Sequence, residues 1–265
     1  MTYTLAAAIV VGTVFLSCLG LVISRRFIKP DILKQRHDVT GNFLALSGSI
    51  YAILIGMIIV DSMNYQQVAK ETIDGETANL ADIYIMASNL PKGRRTAMRK
   101  KAREYVDQVI SSEWGLMTCG DSCPLAGHLG VELISDLMTF QPKSESEKNV
   151  YPMLVEESQN FWQNRQKRLT EAARKIPPIE LGALLIGAIF LIGWTYYLDA
   201  DHFWMQLTMT AMVATLIALN FILLFLFTYP FRGDFAIQTD PFTRLQSVFD
   251  EIDEASGDSQ PKAET

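Results

Sequence analysis

Cys119 and Cys123, four residues apart, with His128 five residues further on, are the densest set of metal-type ligands in this chain. Zinc asks for four ligands and only three candidates lie together, so no metal site is expected. Cys18, the remaining cysteine, lies in an apolar run and reads as packing. Cys119 and Cys123 are expected to pair as a disulfide if their segment lies outside the cytoplasm, and to be two ordinary thiols if it lies inside. His37, His128 and His202 belong to separate segments, nothing pairs a nucleophile with a base, and no glycine loop is set to hold a phosphate. The chain is therefore not expected to be an enzyme or to carry a cofactor.

Other residues point to a membrane. Gly48, Ala52 and Gly56 recur every four residues, with Ala45 and Ser49 beside them. Small residues at that spacing let membrane helices approach closely. The stripe reads either as packing within one chain, with Gly182, Gly187 and Gly193 or Ala211, Thr215 and Ala218 as partners, or as a subunit interface or pore wall. Ser49, Ile53 and Gly56 are the candidate lining, with Ile53 as a hydrophobic gate. Asp61, just beyond them, would repel anions unless a base such as Lys70 offset it. Asn220, among Leu and Phe, reads as glue between helices or as an ion contact. No ionisable side chain occupies the middle of an apolar run, which argues against a proton pump. The basic cluster Lys92, Arg94, Arg95, Arg99, Lys100, Lys101 and Arg103 reads as a solvated face, with attraction of anions or headgroups as the alternative. A basic groove with interleaved aromatics is missing, so nucleic acid is not expected as a partner.

The elements that must position these residues follow from charge segregation. Charged residues make up 20% of the chain, yet residues 5–24 contain none. About 20 apolar residues cross the hydrocarbon. Four such runs predict an all-α membrane protein, with spans over residues 3–24, 41–60, 179–198 and 203–229. No proline falls between Pro30 and Pro91, so the second span is expected to continue as one helix to about Asn89. Three further helices are expected before Pro177-Pro178. Met98, Ala102, Tyr105 and Val109 mark the first, Leu129, Leu133 and Leu137 the second, and Leu154, Phe161 and Leu169 the third. Ser144 and Glu147 form a capping-box pattern ahead of that third helix.

The resulting domains are residues 1–62 (two spans and a basic loop), 63–178 (an antiparallel helical bundle), 179–229 (two spans) and 230–265 (a capped amphipathic helix and a disordered acidic tail). Asp240 and Pro241 open that last helix, with Phe242, Leu245, Phe249 and Ile252 on one side.

Four stretches together resemble a bacterial family of unknown function known for its bestrophin-like domain. They are the basic loop leading to His37-Asp38-Val39; Tyr51-Ala52-Ile53-Leu54-Ile55-Gly56; the region from Glu71 to Pro91, especially Glu76-Thr77-Ala78-Asn79-Leu80-Ala81-Asp82-Ile83-Tyr84; and Tyr229-Pro230-Phe231-Arg232-Gly233-Asp234 with Asp240-Pro241-Phe242. The resemblance covers nearly the whole chain. It implies, by fold-level analogy with the oligomeric bestrophins, an anion-selective ion channel. The alternative is a membrane-anchored sensor or interaction protein without transport. The expected partners are the lipid bilayer, ions and further copies of the same chain.

Loop charge predicts orientation. Arg25, Arg26, Lys29, Lys34 and Arg36 follow the first span, and the N-terminus and the turn at residues 199–202 have no Lys or Arg. This places the basic loop in the cytoplasm, and the bundle and both termini on the periplasmic side of the inner membrane. Arg165, Lys167, Arg168, Arg174 and Lys175 pull the other way, as does the cytosolic position of this domain in bestrophins.

Overall fold

The computed structural model describes residues 3–27, 37–197 and 202–256. Most of the basic loop (residues 28–36), the turn at residues 198–201 and the acidic tail (residues 257–265) lie outside the described residues. The chain divides into two compact units, one of residues 1–66 and 175–235, the other of residues 67–174 and 236–265. Among the described residues there are nine α-helices and no strand.

The first unit holds the apolar helices. Helix α1 is Tyr3–Phe27, and α2 is His37–Met86, unbroken over 50 residues because nothing in it interrupts backbone hydrogen bonding. Helices α7 (Pro178–Thr195) and α8 (Phe203–Thr228) follow the second unit in sequence. Four helical stretches are long and apolar enough to cross a membrane, at Thr4–Arg26, Gly41–Asn89, Glu145–Thr195 and Phe203–Thr228. Helix α1 packs along α8, and α7 packs on α8. A core of Tyr51, Ile55, Leu184, Ala188, Leu191, Ile217, Phe221 and Leu224 joins α2, α7 and α8.

The second unit takes the far end of α2. A 3-10 turn at Ala87–Asn89 ends that run, and Pro91 precedes α3 (Lys92–Gln108). The chain then widens into one π-helical turn, Val109–Glu113, and closes with the short α4 (Trp114–Met117). Gly120, at φ 85°, caps this run: its N–H bonds to the Met117 carbonyl, and the Asp121 N–H reaches back to the Leu116 carbonyl. That left-handed backbone is the one a Schellman cap needs, and glycine adopts it without strain.

Helix α5 is Pro124–Met138 and α6 is Glu145–Ala173. The capping box forms as expected, with the Ser144 side chain accepting from the Glu147 N–H and the Glu147 carboxylate accepting from the Ser144 N–H. Helix α9 (Asp240–Ser256) belongs to this unit and buries Phe242, Leu245 and Phe249.

Candidate functional site

The small-residue stripe of α2 is open. A Cβ built on Gly48 or Gly56 meets nothing within 4 Å, and Ala45, Ser49 and Ala52 are exposed. Ile53 is 65% exposed. The Ser49 hydroxyl donates to the Ala45 carbonyl of its own helix, at 2.8 Å. Among the described residues, no side chain of the same chain stands within Cβ contact of Gly48 or Gly56. The buried contact of α2 uses a different side of the helix: Tyr51 lays its ring on Gly187, where an added Cβ would stand 2.7 Å from ring carbons. The Tyr51 hydroxyl donates to the Leu184 carbonyl, at 3.2 Å. Of the glycines expected to face the stripe, Gly182 and Gly193 would carry a Cβ that meets nothing within 4 Å.

Asn220 does not join helices within the chain. Its amide donates to the Leu216 carbonyl one turn back along α8, at 2.9 Å. Other polar side chains make the joints. Thr195 and Thr210 hydroxyls meet at 3.1 Å, as do those of Ser62 and Thr228. Gln206 donates to the Thr195 and Tyr196 carbonyls and accepts from Arg25 through its side-chain oxygen. Gln206 falls in the fourth apolar run, and its role is not legible there because its partners Arg25 and Thr195 lie on other helices.

The second unit contains a buried charge network. Arg168 is fully enclosed and holds Glu76 in a bidentate pair, Nε to Oε2 at 2.7 Å and Nη2 to Oε1 at 3.0 Å. Its Nη2 also reaches Glu113 Oε1 at 2.7 Å, and its Nη1 donates to the Met117 sulfur at 2.8 Å. Arg165 pairs with the other Glu113 oxygen at 2.6 Å, and that oxygen also accepts from the Cys123 N–H at 3.2 Å. Tyr105 donates to Glu76. Two carboxylates thus face two guanidiniums.

Burial opposes the Arg168 charge, but the Glu76 carboxylate leads the opposing influences and holds its pKa above the ordinary value. Burial, then the Glu76 charge, pushes the Tyr105 phenol well above its usual range, so it serves as a neutral donor. The π-helical turn ends at Glu113, in step with the delivery of that carboxylate to the core. Sequence reasoning counted Arg165 and Arg168 as charges flanking the third span. Nothing local announces that they are buried.

The basic helix α3 is only in part a solvated face: Lys92, Arg94 and Lys100 are exposed, and the others are drawn into packing. Arg99 is buried and pairs with Asp253 at 2.9 Å; Arg103 pairs with Asp250 and Asp253 at 2.8 Å each. Lys101 pairs with Glu132 and Asp136, and Arg94 donates to the Asp136 carbonyl. Tyr84 stacks on Phe249 at 4.0 Å and donates to Asp253. Most of this basic surface is the seat of α9 and α5, because acids on those helices complement it. Cys119 and Cys123 are free thiols here, the first exposed and the second buried at the start of α5.

The comparisons with known proteins follow this architecture. A bestrophin-like domain model matches residues 11–242. A solved bacterial bestrophin homologue from Klebsiella pneumoniae is 12% identical, with a TM-score of 0.67 over 95% of this chain and 99% of that one. A point variant of that homologue is 11% identical and superposes at 0.67 over 94% and 99%. A structure described only as a membrane protein is 12% identical and superposes at 0.68 over 95% and 100%. No curated protein matches. With a family model spanning most of its length and four membrane-crossing helical stretches, this chain is an integral membrane protein of the bestrophin-like family.

Proposed function

We propose that this protein is a homo-oligomeric ion channel whose second spans meet around a common axis, selective for anions by analogy with bestrophins. The observation that carries this reading is the open stripe of α2: a Cβ on Gly48 or Gly56 meets nothing within 4 Å among the described residues, while Tyr51 and Ile55, on the adjoining side of the helix, are packed. Small residues left uncovered in a single chain suit close approach of a second copy. Four helices from one chain do not easily enclose a water-filled path, so conduction needs several copies. Ser49, Ile53 and Gly56 then line the path, with Ile53 closing it by dewetting.

The second unit serves as a scaffold rather than a catalytic centre, since its buried charges are matched in pairs. The protein resides in the inner membrane with this unit on the periplasmic side. The support is the count of Lys and Arg: five in the loop after the first span, none in the N-terminus or in the turn at residues 199–202.

Planar-bilayer recording on purified protein tests the channel. Discrete conductance whose reversal potential follows the chloride gradient is the expected result. A protein that is monomeric in mild detergent and in lipid, with no ion flux in liposomes, would leave the membrane-anchored sensor reading in its place.

A further inference from the structure

We propose that the end of the first unit where α1 and α7 finish and α8 begins is a binding site for an anionic phospholipid headgroup. The strongest observation is a contrast in pairing. Arg99, Arg103, Arg165, Arg168 and Arg174 of the second unit each hold a carboxylate. Arg25 and Arg26, in the last turn of α1, have no carboxylate partner among the described residues, and both are exposed. Among the described residues, nothing in the chain answers their charge.

Arg25 is nevertheless fixed in place. Its Nε and Nη2 donate to the Gln206 side-chain oxygen at 2.9 and 2.5 Å, and its guanidinium lies 5.0 Å from the Phe203 ring centroid. Gln206 is buried and donates to the Thr195 and Tyr196 carbonyls at the end of α7, which anchors that amide. The guanidinium is therefore held by neutral groups that position it without consuming its charge. Beside it, the Phe203 and Trp204 rings lie 5.7 Å apart, and Trp204 is 73% exposed. Tyr197, on the same rim, is also exposed.

An exposed indole at the end of an apolar span belongs at headgroup depth, where its ring meets acyl chains and its N–H meets water. Two arginines at that depth, with no carboxylate partner among the described residues, complement the phosphodiester of an anionic headgroup. The occupant that satisfies both the ring and the charges is a phosphatidylglycerol-type lipid. A free anion would use the arginines and leave the indole without a partner. This inference does not depend on conduction.

The test uses the full chain in vesicles and reads quenching of Trp204, isolated as the difference between the parent and Trp204→Phe. Brominated phosphatidylglycerol is compared with brominated phosphatidylcholine. The expected result is preferential quenching by phosphatidylglycerol, roughly fivefold in relative binding constant per arginine. The preference should fall in Arg26→Gln and persist in Arg26→Lys. Arg26 is exposed and has no hydrogen bond or ion pair to another described residue, so its variants keep the test open if Arg25→Gln proves unstable. Equal quenching by the two lipids in the parent overturns the proposal, as does a preference that survives both glutamine variants. Abolition of the preference by inorganic phosphate would assign the site to free anions and overturn the lipid.

Discussion

Arg168 and Glu76, 92 positions apart in the chain, form a bidentate pair that is fully buried. The pair joins α6 to α2, and Glu113 ties the π-helical turn to the same guanidinium. Breaking one member of such a pair strands a charge in a dry interior, whereas replacing both with apolar groups does not. Glu76→Ala or Arg168→Ala should therefore destabilise the second unit by about 3–5 kcal/mol, while Glu76→Leu with Arg168→Met should cost far less. Thermal unfolding of the purified protein, followed by circular dichroism, distinguishes the two.

Gly187 and the glycines of the α2 stripe should respond oppositely to alanine. At Gly187 the new methyl would meet the Tyr51 ring at 2.7 Å, so overpacking should cost about 1–3 kcal/mol. Gly48→Ala and Gly56→Ala place a methyl in open space and should leave the stability of the isolated chain intact. Melting temperatures in monomerising detergent provide the check.

Larger residues on that open face should act on assembly instead. Ala52→Leu or Gly56→Leu should reduce cross-linked oligomer and conductance together, with the monomer still folded. A leucine variant that assembles and conducts like the parent would remove α2 from the axis.

Asp82 supplies a pH dependence. Asp82 is largely exposed, but partial desolvation by its neighbours, then the nearby charge of Glu157, raises its pKa above the ordinary carboxylate value. A carboxyl that binds its proton more tightly when folded penalises the fold fully above the folded pKa. The penalty disappears as pH falls below the unfolded value of about 3.9. Asp82→Asn should accordingly raise the melting temperature at neutral pH, and the gain should shrink through the acidic range. A gain independent of pH would point to packing rather than charge.

Cys119 reports orientation. It is exposed and Cys123 is buried, so a membrane-impermeant maleimide on intact cells should modify Cys119 alone if the second unit is periplasmic. Labelling only after lysis would place the unit in the cytoplasm. If the pair oxidises on export, closure of so short a loop should add only modestly, on the order of 2 kcal/mol or less.

The apolar runs fixed four membrane-crossing stretches before any coordinates, because hydrocarbon excludes charge over a length that composition records directly. Local signals also located the Ser144–Glu147 capping box and the start of α9 at Asp240, since each needs only residues within one turn. The same logic marked Met98, Ala102, Tyr105 and Val109 as one buried face. What that face touches was not written there. Periodicity says which side of a helix is apolar, but a buried arginine is tolerated only by a carboxylate supplied from elsewhere in the chain. Arg168 met Glu76, Arg25 met Gln206, and the basic helix α3 met the acids of α9 across separations that no local pattern encodes. Tertiary structure likewise decided that Tyr51, not the glycine stripe beside it, packs against Gly187, leaving the stripe free for another surface.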